Sequence, residues 1–270
     1  MIDITMTDVC ATPSLMPLDQ AMEQLLGLIS PVVEAETVSL DQALNRILAE
    51  SIRSPINIPL HDNSAMDGYA LILEGESLSV GCELSVVAKV LAGHPIEHEI
   101  QVSQCARIMT GGDIPHGCNA VIMQEQVEII SPDRIRILAD VKRGQNIRPM
   151  GEDITQGQAV FSAGRRLNPA DIGVLASMGL QAVSVIRSLN VALISTGDEL
   201  IVPGATLKSG QLYESNTPTL NAVLNRLGVN VKNYGIVADD EAQLTQVFSE
   251  ADEWAEVVIT WGGVSVGEAD

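Results

Sequence analysis

The sequence predicts a multidomain chain of mixed α/β and α+β class, in which helical segments flank a β-rich stretch and a parallel sheet with helices on its faces follows. Three observations carry this. Apolar residues recur at helical spacing before residue 50 and again after Pro169; short apolar runs broken by Gly, Pro and Asp fill residues 51–150; and strand and helix patterns alternate strictly from Asn190 onward. At 270 residues the chain has the length at which one core gives way to several, and its 46% hydrophobic content supplies the surface to bury.

Residues 1–17 read as a polar, proline-punctuated tail. Leu18, Ala21, Met22, Leu25, Leu26 and Ile29 then fall on one helical face and are expected to be core. Ser39-Leu40-Asp41-Gln42 has the form of a capping box, opening a second helix with Leu40, Ala43, Leu44, Ile47 and Leu48 inward. Strands are expected at Tyr69–Leu73, Leu84–Leu91, Cys105–Met109, Ala120–Glu128 and Arg134–Ala139. Asn168-Pro169 opens a helix that points Ile172, Leu175 and Met178 inward and stops at Gly179. Next come a strand at Val191–Ser195, a helix capped by Thr217-Pro218 and ended by Gly228, and a strand at Val229–Val237. A helix started by Asp239-Asp240 and a strand at Glu256–Thr260 complete the run. Strands joined through helices pair in parallel, and ligands of such sheets sit beyond the carboxyl ends of the strands. Those ends carry Ser195–Glu199, Asp239-Asp240 and Gly262–Asp270. The chain stops just past the third strand, so either further sequence or a partner is expected to cover the open edge.

Against 15 Lys and Arg stand 35 Asp and Glu, a formal charge of −20 that argues against nucleic acid or an anionic membrane as partner. A small anion remains compatible, because distant charges are screened and only the local field counts. Seven basic residues cluster at Arg134, Arg136, Lys142, Arg143, Arg148, Arg165 and Arg166, either as a solvated face or as an anion-attracting one. Cys10, Cys82, Cys105 and Cys118 form no C-x-x-C pair, which suits reduced thiols. His94 and His98 are separated by Pro95, which argues against a helical metal pair. With no cationic leader and no apolar run of membrane-spanning length, a soluble, cytoplasmic protein is expected.

The chemistry concentrates in two stretches, Ser195–Leu200 (STGDEL) and Trp261–Asp270 (WGGVSVGEAD). The first delivers carboxylates at a strand end, which suit a hard cation; the second is a glycine-rich turn whose amides suit an anion. Together they imply a phosphorylated ligand that carries a metal.

As a set, five motifs resemble the molybdopterin molybdenumtransferase family, the bacterial MoeA proteins and the E domain of gephyrin. They are His61–Ala70 (HDNSAMDGYA), Arg107–Gly111 (RIMTG), Gly144–Arg148 (GQNIR) with Gly151–Asp153, Ser195–Leu200 with Asn216, and Gly262–Gly267. The resemblance runs from Leu18 to Asp270. It implies an N-terminal region at 1–184, made of a discontinuous helical part (18–54 plus 151–184) around an inserted β-rich domain (55–150). It further implies an incomplete molybdopterin-binding α/β domain at 185–270, of three layers in the family. The family's C-terminal β domain is not in this sequence, which matches about two thirds of a member.

The activity implied is insertion of molybdate into adenylylated molybdopterin with release of AMP, using Mg²⁺. By family position, Asp67, Thr110, Asp153 and Glu199 are the catalytic candidates. Gly262, Gly263, Ser265, Gly267 and Arg148 would bind the ligand, and Glu199, Asp239 and Asp270 would hold the metal. A homodimer is implied, and the molybdopterin adenylyltransferase is a candidate partner. Other readings stay open: Asp239 or Asp240 as an N-cap, Asp67-Gly68 as a turn, and Asp198 as a loop-structuring residue. Pro149-Met150 replaces the family's arginines after Arg148, and Trp261 stands where the family has a small residue. The rival functions are a non-catalytic scaffold that keeps the fold, and an adenylyltransferase sharing only the α/β domain.

Overall fold

A computed structural model describes residues 16–262. These divide into two compact units, one of residues 37–185 and one that joins 16–36 to 186–262.

In the first unit a six-stranded sheet runs in the order Ala120–Met123, Gly68–Leu71, Gln104–Ile108, Glu83–Val90, Arg134–Ile137, Val127–Ser131. All its pairings are antiparallel except that of Glu83–Val90 with Gln104–Ile108. Successive side chains of a strand point to opposite faces. Tyr69, Leu71, Cys105, Ile122, Ile135 and Ile137 therefore pack one core, and Ala70, Val90, Ala106, Ile108 and Val121 another. Burial on both faces is why Gly68–Leu71 and Ala120–Ile122 read as unbroken small or apolar runs rather than as alternating ones. Burial also pushes the Cys105 and Cys118 thiols up to about 12 each.

A third core gathers Val38, Ala43, Leu48, Leu167, Leu175, Met178, Val183 and Val185 around helix α2. Here we number the helices in chain order: α1 is Leu18–Leu28, α2 Pro169–Ser177, α3 Asn216–Leu227 and α4 Glu241–Trp254. The start of α2 is a reciprocal capping box between Asn168 and Asp171. Arg165 also donates two hydrogen bonds to the Asp171 carboxylate, at 3.0 and 2.8 Å, and holds it below the usual carboxylate range.

Two expected helical stripes differ from the structure. No helix spans Ser39–Leu48; Leu40–Gln42 is a single 3₁₀ turn, and the Ser39 hydroxyl donates to the Gln42 side chain rather than capping the backbone. Asn45 turns to φ +65, after which Ile47 and Leu48 bridge to Arg166 and Val185. Packing Ala43 and Leu48 against α2 outweighs the local pattern, and Leu44 and Ile47 stay exposed. Helix α1 forms as expected, but none of its residues is buried, so its stripe is not core.

In the second unit three parallel strands lie in the order Asn230–Val237, Asn190–Thr196, Val257–Trp261. Ala192 and Ile194 pack toward α4, while Val191 and Leu193 pack toward α3, which makes three layers. Gly228 ends α3 in the left-handed conformation at φ +77. The start of α3 corrects the expectation of a Thr217-Pro218 cap: Glu214 Oε1 accepts the Thr217 N–H at 2.8 Å. Among the described residues no helix is long and apolar enough to cross a membrane.

One position tests the sheet directly. A Cβ on Gly68 would lie 2.0 Å from the Ile122 carbonyl oxygen, whereas one on Gly75 meets nothing within 4 Å. Gly68→Ala is expected to cost about 3 kcal/mol in denaturant unfolding, against a change within about 0.5 kcal/mol for Gly75→Ala. Equal effects of the two would contradict the close approach.

Candidate functional site

In the first unit the three N-terminal motifs meet. The Ser64 N–H donates to Gly112 O at 2.9 Å, and the Gly111 N–H donates back to Ser64 O at 2.8 Å. Ile147–Arg148 pairs antiparallel with Asn63–Ser64, and the Ala65 N–H donates to Asn146 O at 2.9 Å. Asn146 sits at φ +56, a conformation that asparagine tolerates, and its Nδ2 donates to Val121 O at 2.9 Å. Ser64, fully buried, donates its hydroxyl to Met66 O at 2.6 Å and closes the turn that presents Asp67.

Asp67 Oδ1 accepts from both the Thr110 N–H at 2.8 Å and the Thr110 hydroxyl at 2.9 Å. These two bonds, with a smaller contribution from Arg107, hold the Asp67 carboxyl below its ordinary value of 3.8. The group therefore stays ionised at neutral pH, and any stability its charge lends is lost only in acid below that value. Arg107 is itself fixed: its Nη1 donates to Gly68 O at 3.0 Å, its Nη2 donates to Gln124 Oε1, and it lies over the Tyr69 ring at 5.0 Å.

Arg148 and Asp153, candidates for different roles, are direct partners. Arg148 Nη2 donates to Asp153 Oδ2 at 3.0 Å and Nε donates to Glu152 Oε2 at 3.2 Å. Two carboxylates already balance the guanidinium, so an incoming anion competes with them for it.

In the second unit the carboxyl end of the central strand opens into a cleft of about 230 Å³. Thr196, Glu199, Leu200, Leu212, Tyr213, Glu214, Ser215, Asn216, Trp261 and Gly262 line it. Gly197 is at φ +142, and a Cβ there would lie 2.6 Å from Glu199 Oε2; the glycine lets that carboxylate fold back against the backbone. The Asp239-Asp240 alternative resolves at Asp240, whose Oδ1 accepts the Gln243 N–H at 2.9 Å and caps α4. Asp239 is left at the strand end, with its N–H directed to Asp198 Oδ1 at 3.4 Å. That contact gives Asp198 the loop-structuring role.

Gly263, Ser265, Gly267 and Asp270 lie outside the described residues, so the glycine-rich turn is represented by Gly262 alone. Among the described residues no three His, Cys, Asp or Glu side chains come together as a metal would require. Glu199 and Asp239 do supply the oxygen donors a hard cation takes. Sequence reasoning missed Glu214, a residue only 5% exposed that lines the cleft. The only available signal was an acidic residue just before Ser215-Asn216, which reads as ordinary helix-start chemistry. Three side-chain polar atoms are buried without a hydrogen-bond partner among the described residues, Gln126 Oε1 in the first unit and Ser195 Oγ and Trp261 Nε1 in the second.

Gly262 joins the third strand to the central one. It takes φ +94, and a Cβ would fall 2.3 Å from Thr196 O. Gly262→Ala is expected to lower stability by about 3 kcal/mol and to speed amide exchange in residues 190–196. Unchanged protection of that strand would show the junction to be adaptable.

Residues 16–179 match the family described as MoeA N-terminal region (domain I and II), and residues 192–270 match the one described as Probable molybdopterin binding domain. Over 256 residues the chain is 44% identical to a molybdopterin molybdenumtransferase of Haemophilus influenzae, covering 95% of this chain and 63% of that protein. A molybdopterin molybdenumtransferase of Staphylococcus aureus strain MRSA252 is 37% identical over 257 residues, covering 94% of this chain and 61% of that one. The chain thus spans about 63% or less of the length of these curated relatives. Among solved structures, the molybdopterin biosynthesis MoeA protein of Pyrococcus horikoshii OT3 aligns with a TM-score of 0.81 at 32% identity, covering 93% of this chain and 67% of that one. A second structure of a MoeA protein from Pyrococcus horikoshii gives 0.77 at 31% identity, covering 91% and 63%.

Proposed function

The chain belongs to the MoeA family, and from that premise we propose that it serves molybdenum cofactor biosynthesis by inserting molybdate into adenylylated molybdopterin with release of AMP. The observation that carries this reading is the Asp67–Thr110 pair, in which a carboxylate kept ionised is aligned by both an amide and a hydroxyl. Oδ2 of Asp67 accepts no hydrogen bond among the described residues, so it is available to accept from and orient an attacking water. Asp153 would act beside it once an anion draws Arg148 away.

Glu199, Asp239 and Asp270 would hold Mg²⁺, which when bound neutralises charge on the phosphates. The amides of Gly262, Gly263, Ser265 and Gly267 would cradle a phosphate. We assign the chain's regions as the family does, with 18–54 and 151–184 as one discontinuous part, 55–150 inserted, and 185–270 as the molybdopterin-binding domain. A cytoplasmic location and receipt of the ligand from the adenylyltransferase belong to the same proposal.

The test is AMP release from adenylylated molybdopterin on adding molybdate. Asp67→Asn keeps size and removes a charge, so it is expected to slow release on the order of a hundredfold or more with an unchanged unfolding midpoint. Parallel loss of stability and activity would make Asp67-Gly68 a turn and nothing more. Ligand binding without turnover in the unsubstituted chain would favour the scaffold.

We further propose a homodimer in which the Asp67 loop of one subunit serves the α/β unit of its partner. The exposed apolar face of α1 (Leu18, Met22, Leu25, Leu26) supports association. Sedimentation is expected to give twice the 28.7 kDa chain mass. A fully active monomer would overturn the dimer.

A further inference from the structure

We propose that Arg107 is a positioning residue for Asp67: its guanidinium ties together the three adjacent strand ends that present the Asp67 carboxylate, and so keeps the unbonded Oδ2 in place. This rests on the molybdenum-insertion reading above and adds a residue that acts there through Asp67 rather than on the ligand.

Sheet order lets one side chain do this. Ala120–Met123, Gly68–Leu71 and Gln104–Ile108 are successive neighbours. Arg107 stands on the third of these strands, directly across from Tyr69 on the second. Residues so paired lie on the same face, and the guanidinium rests over the Tyr69 ring at 5.0 Å. From there Nη1 donates to Gly68 O at 3.0 Å, and Nη2 reaches Gln124 Oε1, the first residue past the end of Ala120–Met123.

Asp67 is thereby held by its backbone as well as by its side chain. Its own carbonyl oxygen accepts the Gln124 N–H at 3.0 Å, and the next carbonyl along, that of Gly68, accepts from Arg107. Gln124 is steadied in turn, since its Nε2 donates to Glu125 Oε1 at 3.0 Å while its Oε1 faces the guanidinium. The two Thr110 bonds fix only Oδ1 of the carboxylate. Where Oδ2 points follows from the backbone of Asp67, which Gln124 and Arg107 hold. Two acceptors on different strands call for a planar fork with two donors in fixed relation, which arginine has and lysine lacks. The Arg107 charge also adds to the Thr110 bonds in keeping the Asp67 carboxyl below its ordinary value. Both terminal nitrogens are engaged inside the protein, as a group that acts through a neighbour requires.

The experiment has one arm that needs no substrate and one that does. In Arg107→Met the amides of Thr110 and Gln124, which donate to Asp67, are expected to exchange hydrogen faster on the order of tenfold, with Ala70 and Ala106 deeper in the same strands unchanged. In AMP release the same variant is expected to lower kcat on the order of tenfold or more with KM within about twofold. Arg107→Lys keeps the charge without the fork and is expected to stay near Arg107→Met in both arms. In an Asp67→Asn background, Arg107→Met is expected to cost less than about twofold more. Unchanged Thr110 and Gln124 exchange, full recovery in Arg107→Lys, a loss confined to KM, or full additivity with Asp67→Asn overturns the assignment. If Arg107→Met fails to fold, Gln124→Ala removes the exposed far anchor of the fork and is expected to quicken Thr110 exchange in its place, and no change there overturns the assignment equally. The two readings fail separately. Faster exchange in a chain that releases no AMP sinks molybdenum insertion and leaves Arg107 holding the Asp67 loop, whereas AMP release with unchanged exchange does the reverse.

Discussion

The contact on which the first unit depends is the approach of the Gly68 backbone to the Ile122 carbonyl, closer than any side chain permits. It brings Gly68–Leu71 between its neighbours at full hydrogen-bonding register, so that both faces of the strand are buried and Asp67 is delivered at its leading end. From the other neighbouring strand, Gln104–Ile108, the chain runs on into Thr110. The carboxylate and its two donors thus come from the ends of adjacent strands and need no mobile loop to find each other. A site built on strand ends holds its geometry better than one hung on loops.

The second unit reaches the same end by a different route. A parallel sheet gathers its chemistry at the carboxyl ends because each strand must turn there into a helix or loop. Gly197 and Gly262 remove side chains where the central and third strands turn, which lets Glu199 fold inward and Thr196 meet Trp261. Glu214 serves twice, as a helix cap and as a buried acid. One helix-start hydrogen bond therefore fixes a carboxylate that solvent scarcely reaches.

The parts of this molecule legible from sequence are those where local pattern and tertiary packing agree. The alternation from Asn190 onward, the Asn168 cap with Pro169, and the left-handed stop at Gly228 all read correctly because backbone demands and side-chain chemistry coincide there. Ser39–Leu48 misled because an amphipathic repeat and a capping box were present while the α2 core buries only Ala43 and Leu48 of that stripe, with Leu40 partly covered. The stripe of α1 misled in the opposite sense: its periodicity is real, but periodicity says only which residues share a face and not whether anything covers it. Of the site, Asp67 and Thr110 emerged through their motifs. The Arg148–Asp153 pairing did not, since sequence spacing carries no information on whether two charges five residues apart satisfy each other.

The two thiols pushed up to about 12 by burial carry a consequence for the sheet itself. A thiol reacts as its thiolate, and at neutral pH that form is suppressed by roughly five orders of magnitude at such a value. Cys105, fully buried in its strand, is in effect not a cysteine while the sheet is closed and becomes one when the two cores part; Cys118 is only half-buried, in the loop before Ala120–Met123. The rate of Cys105 modification therefore measures how often the strands behind Asp67 open, a clock set by the stability of the fold and indifferent to what the site binds.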